Sequence, residues 1–89
     1  MQKFIASLNI PEKGYYDDSG AYVIEFEDEK GFNRAYSKLE KNDELSEISD
    51  RTSLTLLGIN ITYEKDNYII QLKGDLENNI YKMIVTEER

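Results

Sequence analysis

The sequence predicts an α+β domain in which one helix packs on one face of a mainly antiparallel sheet of about five strands. Three observations support this prediction. Residues 28–41 have apolar side chains at helical spacing, and most other patterned segments alternate as strands do. A ferredoxin-like alternative needs a second full helix, for which the connection at residues 74–79 is too short. The predicted order is therefore strand, strand, helix, strand, strand, strand.

The helix is the clearest element of the sequence. Asp28 is a good N-cap, and Lys41 stands near the end, where a cation suits the helix dipole. The apolar stripe has the spacing i, i+3, i+4 and i+7 and consists of Phe32, Ala35, Tyr36 and Leu39. We expect Phe32 and Leu39 to be buried against the sheet, with Tyr36 between them, its ring facing inward and its hydroxyl facing the rim.

Two strands are predicted before the helix. Residues 2–10 alternate, with Phe4 and Leu8 on one face, and this strand should end at Pro11, which cannot donate to a ladder. Residues 11–20 are rich in turn formers and are predicted to be a loop that contains Tyr15 and Tyr16. Residues 21–27 alternate again, and we expect this second strand to pair antiparallel with the first.

Three strands are predicted after the helix. Residues 44–50 fit either a short helical turn or an irregular crossing. The alternation of residues 52–63 changes phase at Gly58, which indicates either a bulge there or two short strands with a kink between them. Residues 64–67 are predicted to be a hairpin loop with Asn67 in the left-handed conformation. The last strand, residues 80–86, is apolar and is expected at an edge of the sheet, where a second copy could pair with it.

Length and composition exclude several classes of protein. Eighty-nine residues predict a single domain, residues 1–89. There is no cysteine and no histidine, so the chain has no thiolate nucleophile and lacks the commonest general base and metal ligand. We therefore predict no enzyme activity, no catalytic residues, no cofactor and no metal. Neither a spanning segment nor a signal peptide is recognisable, which predicts a cytoplasmic protein without membrane binding. The composition is typical of an AT-rich bacterial or phage gene.

The chain is strongly acidic, with a net charge of −7. This charge argues against direct binding to nucleic acid or an anionic membrane, because phosphates require lysine and arginine. It fits a basic protein partner, or it serves solubility alone. Residues 25–50 contain nine acidic and four basic residues, whereas residues 51–89 contain six acidic and five basic ones. The acidic excess therefore lies around the helix.

Two groups of carboxylates stand at opposite ends of the helix. The first, Glu25 to Glu29, has the oxygen ligands of a magnesium or calcium site, but its spacing matches no metal-binding loop. The second follows the helix and has no calcium-loop pattern either. The two groups should lie about 18–20 Å apart, so that they could imitate a phosphate backbone. The plainer interpretation of both is a solvated surface.

Tyr15 and Tyr16 have no core role in this scheme, and tyrosine is enriched at binding hot spots. The alternative is that their loop folds back and buries one ring. We predict a non-enzymatic binding protein that docks an acidic surface on a basic partner such as a nucleic-acid enzyme, as an inhibitor or nucleic-acid mimic. A structural protein that oligomerises through a sheet edge and a small ligand-binding module are the alternatives. The predicted binding residues are Tyr15, Tyr16, Glu29, Glu40, Asp43, Glu44 and Glu47.

Overall fold

A seven-stranded antiparallel sheet with two α-helices is the architecture of the protein in a computed structural model, which describes residues 1–88. The α+β class and the antiparallel sheet are as predicted, but within these residues there are more strands and helices than the five and one expected. The elements are α1 Gln2–Ser7, β1 Tyr15–Tyr16, β2 Tyr22–Phe26, α2 Glu29–Glu40, β3 Ser46–Glu47, a 3₁₀ helix Ser49–Arg51, β4 Ser53–Leu54, β5 Gly58–Lys65, β6 Tyr68–Asp75 and β7 Ile80–Glu87.

The strands lie in the order β1-β2-β7-β6-β5-β3, and β4 also pairs with β5. Both α-helices contribute to one hydrophobic core on one face of this sheet. The strand side chains of that face meet in register, so that Met83 of β7 is opposite both Ile24 of β2 and Leu72 of β6. These three side chains are almost completely buried. In the described part of the chain, no α-helix covers the other face.

The helix prediction is largely confirmed. The Asp28 carboxylate accepts a hydrogen bond from the Gly31 N–H (3.0 Å) and caps α2, and Phe32 and Leu39 are buried. The inward ring predicted for Tyr36 is wrong, because this residue is 37% exposed and is not part of the core cluster. The buried stripe is centred on the small residues Gly31 and Ala35, which lets the helix approach the sheet closely and leaves Tyr36 at its rim.

The N-terminal strand prediction is also wrong, because residues 2–7 form helix α1. Phe4 and Leu8, the two buried residues, are four apart, a spacing that fits a helix as well as a strand. Phe4 stacks on Tyr68 of β6 with ring centroids 4.3 Å apart, and Leu8 enters the same core. Asn9 follows with φ of 58°, a left-handed conformation that suits the end of a helix.

The partner of β2 at its outer edge is β1, which lies inside the predicted loop. Asp17 makes this hairpin possible, because its Oδ1 accepts hydrogen bonds from the N–H groups of Ser19 (2.9 Å) and Ala21 (3.0 Å). Gly20 takes a φ of 87°, which few other residues adopt. The short strand of Tyr15 and Tyr16 therefore depends on a turn built from side chains, and alternation cannot reveal it over two residues.

Residues 44–63 fold back on themselves. Residues 44–50, predicted as a short helical turn or an irregular crossing, contain the short strand β3 and the start of the 3₁₀ helix. Thr55 then closes a tight turn by donating its N–H to the Gly58 carbonyl (2.9 Å), so that β4 pairs antiparallel with β5. Gly58 is thus the end of a hairpin turn and not a bulge. In the next hairpin the left-handed residue is Asp66 (φ 55°), not Asn67.

The last strand is central. β7 pairs with β2 through residues 81–85 and with β6 over its whole length. The prediction that it lies at an edge is wrong, because Tyr81, Met83 and Val85 bury a continuous apolar row in the middle of the sheet. Pairing of two copies through this strand would need one of these ladders to open.

Candidate functional site

The charged residues of α2 divide between two flanks of the helix. At 100° per residue, the acidic flank consists of Glu29, Asn33, Tyr36 and Glu40. The basic flank, about a third of a turn away, consists of Lys30, Arg34, Lys38 and Lys41. The acidic excess around the helix is therefore not spread evenly over it, since one flank of α2 is positive.

The basic flank faces the N-terminal segment. Arg34 forms an ion pair with Glu12 (3.8 Å), and the Lys38 ammonium donates to the backbone carbonyl of Asn9. Two of the four cations on this flank therefore have a partner within the chain. This flank helps to position α1 and the segment after it, so it offers fewer free charges to a partner.

The acidic flank faces β5 and β3. The Tyr63 hydroxyl of β5 donates to Oε2 of Glu40 (2.7 Å), and Glu47 of β3 is the register partner of Tyr63. The Glu40 carboxylate raises the pKa of Tyr36, and partial burial and the Glu47 carboxylate add to this effect. The carboxylates of Glu40 and Glu47 thus lie near the same two tyrosine hydroxyls. We name this surface, formed by Tyr36, Glu40, Asp43, Glu44 and Glu47, the acidic patch.

Most of the charge of the acidic patch is not neutralised. Lys65 donates to Oε2 of Glu44 at 2.8 Å, and this hydrogen bond lowers the pKa of Glu44 and raises that of Lys65. Within residues 1–88, no ion pair reaches Glu40, Asp43 or Glu47. The structure therefore brings the predicted binding residues Glu40, Glu44 and Glu47 to one side of β5, and Asp43 directly precedes Glu44 in the chain.

The other predicted binding residues lie elsewhere. Glu29 is at the opposite end of α2, about 16 Å away along the helix axis. Tyr15 and Tyr16 are on β1, at the sheet edge opposite β3, which is about 24 Å across five strand spacings. The expectation that their loop buries one ring is wrong, because both residues are about half exposed. Partial burial, followed by the Glu25 carboxylate, raises the pKa of Tyr15.

The first carboxylate group has a structural role at the start of α2, where Asp28 is the cap. Across residues 1–88, no group of three or more carboxylates is arranged to hold a metal ion. In the same residues, no helix is long and apolar enough to cross a membrane.

Tyr36 and Tyr63 belong to this region but were not predicted as part of a site. The exposure of Tyr36 could have been inferred from the charge flanks, because residues 29, 36 and 40 share one stripe at helical spacing. The hydroxyl of Tyr63 has no such signal in the sequence, since its contact with Glu40 joins residues 23 positions apart.

Comparison of the chain with protein-family models, with curated proteins and with solved structures found no match.

Proposed function

We propose that this chain is a non-enzymatic protein-binding module that docks the acidic patch on a basic surface of a partner protein. The observation that supports this proposal is that Glu40 and Glu47 lie close to the exposed Tyr36, with Asp43 just after the end of α2, and that no ion pair within residues 1–88 reaches any of the three carboxylates. Carboxylates accept bidentate hydrogen bonds from arginine, and an aromatic face attracts a guanidinium cation. The patch combines both features.

Part of the acidic patch is held in place before a partner arrives. The hydrogen bond from Tyr63 restrains Glu40, and pairing of β3 with β5 fixes the backbone at Glu47. A side chain that is already ordered loses less conformational entropy when it binds. Glu40 and Glu47 should therefore contribute more to affinity than equally exposed carboxylates on loops.

The partner that fits this chemistry is a protein with clustered arginine and lysine residues. Enzymes that bind nucleic acid have such surfaces, because they must neutralise phosphates. Glu29 extends the acidic flank to the other end of α2, so negative charges about 16 Å apart could follow a groove that normally binds a phosphate backbone. Binding there would make the chain an inhibitor that imitates nucleic acid.

Two matched variants test this proposal. The test variant combines Glu40→Gln, Asp43→Asn and Glu47→Gln, and the amide introduced at position 40 can still accept the hydrogen bond from the Tyr63 hydroxyl. The control variant combines Asp18→Asn, Glu27→Gln and Asp66→Asn, three exposed acids outside the patch. Both raise the net charge by the same amount, from −7 to −4.

Wild type and both variants are used as bait in parallel, and each protein retained by wild type is purified and its binary affinity measured. We expect one such partner to bind the test variant at least about tenfold more weakly and the control variant within about twofold of wild type. Equal weakening by both variants would show that only net charge matters. No change in the test variant would show that the acidic patch is not the binding surface.

A further inference from the structure

The face of the sheet without α-helices has a cleft of about 580 Å³ at one end. It lies where the β4–β5 turn meets the β6–β7 turn, and the two turns are joined by a hydrogen bond from the Leu76 N–H to the Leu57 carbonyl (3.0 Å). Leu57 and Ile80 provide apolar lining, and Lys73, Lys82, Asp75 and Glu77 provide charges. None of these residues belongs to the acidic patch.

An apolar surface adjoins this cleft. We name it the leucine face, and its members are Leu56, Leu57 and Ile80, which are 52–95% exposed, whereas Leu54 pairs in register with Ile59 on the helical side of the sheet. Leu56 is the most exposed, at 95%. Thr55 holds the leucines outward in a closed turn, since its Oγ1 accepts from the Gly58 N–H (3.0 Å) and its N–H donates to the Gly58 carbonyl. Contiguous exposed apolar residues of this kind usually mark an interaction site.

Opposite charges lie side by side along the cleft. Lys73 and Lys82 are register partners on β6 and β7, so their Cβ atoms are about 5 Å apart, and Glu25 of β2 is the register partner of Lys82 on its other side. Within residues 1–88, neither lysine forms an ion pair. On the acidic side, Asp75 accepts from Asn78 Nδ2 (2.8 Å), and Glu77 is exposed with no ion pair in the same residues.

We propose that a second copy of this chain docks on the leucine face and forms a two-fold symmetric dimer. A symmetric interface uses the same surface on both subunits, so that surface must complement itself. This one does, because among the described residues it has two unpaired lysines beside an unpaired glutamate, together with an apolar centre. In the proposed dimer the two leucine faces meet, and Lys73 of each copy pairs with Glu77 of its partner.

Another occupant would have to match the same features. An anionic membrane could receive the leucines and lysines, but it has no cation to pair with Glu77, whereas a second copy supplies charges of both signs. The dimer requires only the charges that are already present. It also does not depend on the acidic patch, which lies on the helical side of the domain and stays free in the proposed dimer.

Sedimentation equilibrium over a range of protein concentrations tests the dimer. The test variant is Leu56→Ser with Leu57→Ser. The control, Tyr15→Ser with Tyr16→Ser, removes two exposed rings at the edge of the sheet near β2. We expect wild type and control to dimerise alike and the test variant to dimerise at least about tenfold more weakly. Wild type that stays monomeric at the highest concentration, or a test variant that dimerises as well as wild type, overturns the proposal.

Charge reversal tests the proposed contact between Lys73 of one copy and Glu77 of the other. Lys73→Glu alone and Glu77→Lys alone should each weaken dimerisation, because each sets like charges against each other in both halves of the interface. An equimolar mixture of the two variants should recover dimerisation to the wild-type level, since both contacts in the mixed dimer again join a lysine to a glutamate. Failure of the mixture to recover refutes the two-fold arrangement. Vesicles of anionic phospholipid that bind a monomeric wild type would instead identify a membrane as the occupant and overturn the dimer.

Discussion

Replacing Leu39 by alanine is the most direct perturbation of the contact between α2 and the sheet. Leu39 is 1% exposed and lies in the core cluster with Phe32 and Ala35 of the same helix. The substitution removes three carbon atoms from a site that water does not reach. Each buried methylene contributes about 0.8 kcal/mol, so the lost burial amounts to about 2.4 kcal/mol.

The cavity left behind adds to this cost, because the sheet beneath the helix is continuous and can relax only partly. We expect the free energy of unfolding to fall by about 2–4 kcal/mol. The free energy of unfolding of a small domain is about 5–10 kcal/mol, so the variant should remain folded but be much less stable.

Urea denaturation followed by far-ultraviolet circular dichroism measures this change. Leu56→Ala is the matched control, because the same three carbon atoms are removed from a residue that is 95% exposed. In dilute solution, where subunit contacts do not contribute, the control should change stability by less than about 0.5 kcal/mol. Equal losses in the two variants, or a loss below about 1 kcal/mol for Leu39→Ala, would refute the packing of α2 described above.

Three other substitutions test separate parts of the fold. Burial and the hydrogen bond to Glu40 raise the pKa of Tyr63, so the unfolded chain loses this proton above about pH 10 while the folded chain keeps it. The stability that Tyr63 contributes is complete below that pH and falls as the pH rises. Tyr63→Phe should therefore flatten the decline of the urea midpoint between about pH 9 and pH 11. An unchanged slope would exclude Tyr63 as the cause of the decline. Gly14→Ala places a Cβ against the Val23 carbonyl oxygen, well inside van der Waals contact. It should lower the unfolding free energy by about 1–3 kcal/mol in the same denaturation assay. An unchanged midpoint would mean that the chain at Gly14 is not so close to β2. Asp28→Ala removes the α2 cap and should cost about 1 kcal/mol in urea denaturation, and a neutral result would show that the cap is not formed in solution.

The elements that the sequence predicts well are those with a long, repeated pattern. The stripe of α2 extends over three turns, and one period of about 3.6 residues fits it better than any other. The alternation of β2 places Ile24 and Phe26 on the core face, as their burial in the core cluster confirms. In both elements several apolar side chains follow the same spacing, so a single exception such as Tyr36 does not obscure the pattern.

The elements that were predicted wrongly are short or depend on distant residues. Helix α1 has six residues, too few to distinguish a spacing of four in a helix from one in a strand. The strands β1, β3 and β4 have two residues each and form only because a neighbouring strand pairs with them. The central place of β7 depends on pairing with β2, more than fifty residues earlier in the chain.

The candidate site was predictable in part for the same reason. The carboxylates at the end of α2 are close together in the sequence, so their proximity needed no knowledge of the fold. Tyr63 joins them only because β5 lies under the acidic flank, and the leucine face exists only because β4 turns back at Thr55. Contacts between distant segments decide which exposed residues share a surface.

The salt dependence of partner binding shows whether the charges of the acidic patch hold the partner. The dissociation constant of wild type and of the variant without the charges of Glu40, Asp43 and Glu47 is measured for one purified partner as the salt concentration rises. Exposed charges are screened beyond about 8–10 Å at ionic strengths of about 0.1–0.15 M. We expect wild-type affinity to fall steeply as the salt concentration rises, and the affinity of the variant, already weaker at low salt, to depend on salt much less. Parallel curves for the two proteins would contradict this expectation, because the acidic patch would then not be what the partner recognises.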